Sequence, residues 1–91
     1  MRYLICYDIS DDKVRRSVVK YLEQRAWRVQ YSVFSCEMTE QQATEVRLTL
    51  ARLTAGPEKS LLLVTPLCAA CAARAWFSGT WQERHQAAIV V

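Results

Sequence analysis

Hydrophobic positions alternate through Tyr3-Leu4-Ile5-Cys6-Tyr7-Asp8, with Tyr3, Ile5 and Tyr7 on one face and Leu4 and Cys6 on the other. Residues 1–8 read as a buried strand ending at Asp8. Ser10-Asp11-Asp12 then marks a helix start, because short polar side chains accept the free first-turn amides and acids suit the positive helix end. The period becomes helical to about Arg25. Val14, Val18, Tyr21 and Leu22 share one face, while Arg16, Lys20 and Gln24 point away. Arg15 lies on the flank of the apolar face, in the first turn and near the strand end.

Alternation returns over residues 28–37, where Val29, Tyr31 and Val33 share one face and Arg28, Gln30, Ser32 and Phe34 the other. The stretch reads either as one long strand or as two short ones split by a bulge near Gln30 to Ser32. Thr39-Glu40-Gln41-Gln42 has the form of a capping box and opens a second helix to about Thr54. Ala43, Val46, Leu50 and Leu53 form its buried stripe, and Ala55-Gly56-Pro57 stops it. Ser60 to Thr65 is a continuous apolar strand expected to end at Pro66. Residues 67–75 suit a short helical turn, Ala75 to Ser78 a brief strand, and Ala87 to Val91 a tail strand seeking a sheet edge.

This order predicts an α+β, ferredoxin-like domain with both helices on one face of an antiparallel sheet. It places the domain over residues 1–78 and a tail with an edge strand over 79–91. Both faces of residues 1–7 are apolar, as are both faces of Leu61-Leu62-Leu63-Val64. Two helices cover only one side, and soluble monomers seldom expose a large contiguous apolar patch. A homodimer pairing through the helix-free face is therefore expected, the alternative being that residues 66–91 fold back over it.

Composition adds limits. A chain of 91 residues, 52% of them hydrophobic, has room for one small domain with its own core. No apolar run is long enough to span a membrane. The N-terminus is apolar too briefly for a secretory signal, and four cysteines without export point to reduced thiols in the cytoplasm. A net charge of +3 permits nucleic-acid contact without requiring it.

The candidate chemistry centres on Asp8. A lone aspartate at a strand end is commonly a structural cap and a poor hydrolytic site by itself. A two-fold axis beside it would supply a pair, and Mg²⁺ is often held by one or two carboxylates with waters and substrate phosphates. Such a cation would polarise a phosphodiester and activate a water. Arg15 and Arg28 offer forked hydrogen bonds to phosphate, unless they are ordinary solvated charges.

Tyr7-Asp8-Ile9-Ser10-Asp11-Asp12 with Arg15-Arg16, then Val29-Gln30-Tyr31-Ser32-Val33-Phe34, resembles the signature pair of the CRISPR-associated Cas2 family. Leu63-Val64-Thr65-Pro66-Leu67-Cys68 is similar to that family's late strand and turn. The resemblance covers roughly residues 1–78 and implies a ferredoxin-like homodimer that partners the CRISPR integrase in spacer acquisition. It also implies metal-dependent endonuclease activity on RNA or DNA with Mg²⁺ or Mn²⁺, the strand-end aspartates of two protomers facing each other. By position the resemblance assigns the catalytic set to Asp8, which is also the metal ligand, with Tyr7, Arg15, Arg28 and Phe34. Some members carry a further arginine where this chain has Ser17, and many have an acid where it has Ser35.

Three readings follow. The favoured one is an adaptation subunit whose dimer cradles duplex DNA, with Lys13, Arg16 and Lys20 on one helix face contacting phosphates. A toxin-like, free-standing metal-dependent endoribonuclease is the alternative. A ferredoxin-like RNA reader ranks third, since its aromatic motif is absent. Cys68-Ala-Ala-Cys71 lacks the second close pair that zinc requires; packing is expected for it because cysteine is commonly buried, with a redox pair at a helix start as the alternative. Trp27, Trp76 and Trp81 are expected as core or interface anchors, and His85 as a surface residue.

Overall fold

The computed structural model describes residues 1–56 and 59–79. The expected tail strand at Ala87–Val91, with Trp81 and His85, lies outside the described residues. The elements are β1 (Arg2–Ile9), α1 (Asp12–Glu23), β2 (Trp27–Gln30), β3 (Val33–Glu37), α2 (Glu40–Leu53), β4 (Ser60–Leu67) and α3 (Ala69–Ala73). Asp11 caps α1 by accepting from the Val14 amide at 2.9 Å. The capping box of α2 is complete: Thr39 Oγ1 accepts from the Gln42 amide at 3.1 Å, and Gln42 Oε1 from the Thr39 amide at 2.9 Å. These caps satisfy amides that a helix start leaves orphaned.

The strands form one sheet in the order β2-β3-β1-β4, antiparallel throughout. With its βαββαβ chain order, this is the ferredoxin-like arrangement expected from the sequence.

Residues paired across antiparallel strands share a face. On the helix-bearing face, Tyr3, Ile5, Tyr7 and Ile9 of β1 join Phe34 and Cys36 of β3 in the core, against Val18 and Leu22 of α1 and Ala43, Val46 and Leu50 of α2. Leu62 and Val64 of β4 pack against the same core. On the opposite face Leu4 pairs with Thr65, Cys6 with Leu63 and Asp8 with Leu61. No helix among the described residues is long and apolar enough to cross a membrane.

Of the two readings of residues 28–37, the divided one holds: they belong to a hairpin that turns at Tyr31-Ser32, with a bulge between Arg28 and Gln30. The faces expected from unbroken alternation are corrected. Turn and bulge reset the phase, so Phe34 is wholly buried while Tyr31 stands 75% exposed. Pro66 does not end β4 but sits inside it, opposite Tyr3. Among the described residues β4 is an edge strand, where a missing amide breaks no ladder bond on the outer side. Residues 75–78 form no strand, and Trp76 is 86% exposed rather than in the core.

Candidate functional site

β1 sends consecutive residues to opposite faces, which divides the expected site. Asp8 emerges on the helix-free face, exposed and paired with Leu61. Among the described residues its carboxylate has no hydrogen-bond or ion-pair partner. Around it, Leu61 and Leu63 are 64% and 50% exposed, and Leu4, Cys6 and Val33 are half-buried. A free, hard oxygen donor in that position fits Mg²⁺ or Mn²⁺. No group of three or more metal-ligating side chains exists among the described residues.

Tyr7 points the other way, into the core beside Phe34, with ring centroids 6.3 Å apart. Its hydroxyl donates to the Tyr31 carbonyl at 3.1 Å and receives Arg28 Nη2 at 3.4 Å. Arg28 lies opposite Phe34 in the hairpin, and its guanidinium carbon sits 5.5 Å from that ring's centroid. Phe34 is wholly buried and so contributes by packing under Tyr7 and Arg28.

Arg15 Nη1 donates to the Ile9 carbonyl at 2.9 Å, fixing the guanidinium at the carboxyl end of β1, and Nη2 donates to the Asp12 carboxylate. The hydrogen bond to Asp12 pushes the Arg15 pKa up, which secures its charge. Arg15, Arg16, Lys20 and Arg28, with Tyr7, Val19 and Tyr31, line a surface pocket of about 380 Å³. Glu23 is the one acid in its lining and stands 3.7 Å from Arg28. Lys13 is exposed and does not line it. Ser35, where many relatives are expected to carry an acid, is buried and accepts from Arg2 Nη1 at 2.8 Å.

Cys68 and Cys71 are both exposed, which corrects the packing expected for them. The Cys71 amide donates to Cys68 Sγ at 3.4 Å. That bond, followed by one from the Cys71 thiol, lowers the Cys68 pKa, while the Cys68 thiol raises that of Cys71. Burial raises the pKa of Cys6 and Cys36. As pH rises from neutrality, Cys68 is expected to alkylate first, since the thiolate is the nucleophile. Iodoacetamide labelling followed by peptide mass spectrometry checks this order; equal rates at positions 68 and 71 would refute it.

The family model described as CRISPR associated protein Cas2 matches residues 1–75. The chain belongs to the Cas2 family. A CRISPR-associated endoribonuclease Cas2 of Rhodospirillum rubrum is 37% identical over 92 residues, covering 99% of this chain and 73% of that one. Another, from Synechocystis, is 54% identical over 44 residues, covering 48% of this chain and 47% of the relative. The crystal structure of Streptococcus pyogenes Cas2 superposes with a TM-score of 0.71 at 24% identity, covering 87% of this chain and all of that one, a likeness of Cas2 fold.

Sequence reasoning does not find Tyr31, because unbroken alternation sets it beside Val29. The turn signal is weak: Tyr31-Ser32 contains neither glycine nor proline.

Proposed function

We propose that two copies of this Cas2 chain pair through their helix-free faces and act on nucleic acid as a metal-dependent endonuclease. The observation that carries this reading is an Asp8 carboxylate with no partner among the described residues, on an apolar face where Leu61 and Leu63 stand exposed. Pairing would bury the leucines and bring two Asp8 carboxylates to one axis, where they would hold Mg²⁺ or Mn²⁺. When bound, the cation supplies Lewis-acid polarisation of a phosphodiester. Arg15, held at the rim by Ile9, presents its remaining donors to phosphate oxygens. Tyr7 and Phe34 position Arg28 for the same task, and Lys13, Arg16 and Lys20 add sequence-independent phosphate affinity. In the cell the dimer would serve as the scaffold that holds duplex DNA with the CRISPR integrase during spacer acquisition. The relatives' name, endoribonuclease, favours RNA as the strand cleaved if the protein works alone.

Sedimentation and salt-titrated binding test the proposal together. Wild type should sediment as a dimer, and Leu63→Asp should weaken it about a hundredfold or more, because burying an unpaired charge is costly. Duplex affinity should fall with salt, the logarithmic slope being about −0.9 per phosphate neutralised. A monomeric wild type, or affinity indifferent to salt, refutes the reading.

A further inference from the structure

Tyr31 combines a held backbone with an uncovered ring. Its carbonyl accepts from Tyr7 Oη at 3.1 Å, from Arg28 Nε at 3.3 Å and from Arg28 Nη2 at 3.1 Å. Two strands thus fix the tip of the hairpin, while the ring stays 75% exposed. The Arg28 guanidinium carbon lies 5.7 Å from the ring centroid. Single exposed aromatics are ordinary. This one borders a pocket with four cations and one acid. Aromatic ring and clustered cations are the two halves of a site for an unpaired nucleotide: a flat surface for the base and positive charge for its phosphates. Because the backbone is already ordered, stacking there costs little further entropy.

We infer that Tyr31 is a stacking platform for an unpaired nucleobase whose flanking phosphates lie on Arg16 and Lys20. The inference rests on the nucleic-acid reading above and narrows it to strands with a single-stranded segment. A blunt duplex exposes base faces only on its two terminal pairs, so nearly all of its length cannot use the ring.

The test compares a blunt DNA duplex with the same duplex bearing a short unpaired overhang that contains 2-aminopurine. Divalent cations are left out so that binding is read without cleavage. Wild type should prefer the overhang and alter the probe's fluorescence. Tyr31→Ala should lose about tenfold in affinity for the overhang, leaving blunt-duplex binding unchanged. Tyr31→Phe, which retains the ring, should behave as wild type. Arg16→Gln with Lys20→Gln should weaken both ligands and flatten their salt dependence. If Tyr31→Ala binds both ligands as wild type does, or weakens both equally, the platform is refuted while phosphate binding stands. If the charge variants change nothing, the nucleic-acid reading itself fails.

Discussion

On the proposed function, an Asp8→Asn chain is expected to keep its fold and the proposed dimer while losing the proposed divalent-dependent phosphodiester cleavage by about a hundredfold or more. The substitution preserves size and removes the charge from an exposed side chain whose carboxylate bonds to nothing else among the described residues. Nothing in the packing should therefore change. Because like charges brought close repel, the variant's dimer should tighten slightly when no cation is present and become indifferent to added Mg²⁺. Cleavage assays beside sedimentation, each with and without Mg²⁺, separate the two effects. Unchanged metal-stimulated cleavage would remove Asp8 from the site.

Phe34→Ala should act through stability. The ring is wholly buried between Tyr7 and the helices, and truncating a buried phenylalanine costs about 3–5 kcal/mol. Small domains hold only about 5–15 kcal/mol in all. In a domain of this size that loss should lower Tm by roughly 12 °C or more at fixed protein concentration. Phe34→Leu, which keeps most of the volume, should melt much nearer wild type. Lost activity in Phe34→Ala would then reflect the fall of Tyr7 and Arg28 rather than a missing contact to substrate. A melting curve superimposable on wild type would contradict this.

Much of the architecture is legible in the sequence because its signals are local. The Asp11 cap, the Thr39–Gln42 box and the apolar stripes of both helices each depend on residues a few turns apart at most, and all of them form as expected. Position within the sheet is not local. Pro66 reads as a terminator until β4 is seen to lie at the edge of the described sheet, and the fate of Phe34 depends on a bulge that no glycine announces. The site divides for a similar reason. Tyr7 and Asp8 adjoin in sequence, which suggests one cluster, but a strand sends neighbours to opposite sides.

That separation makes the numbering of β1 itself a functional element. Deleting one residue upstream of Tyr7 without shifting the sheet pairing would exchange the two sides, setting the acid among the arginines and the phenol on the helix-free face. The hydrophobic content would hardly change, yet each surface would receive the wrong chemistry.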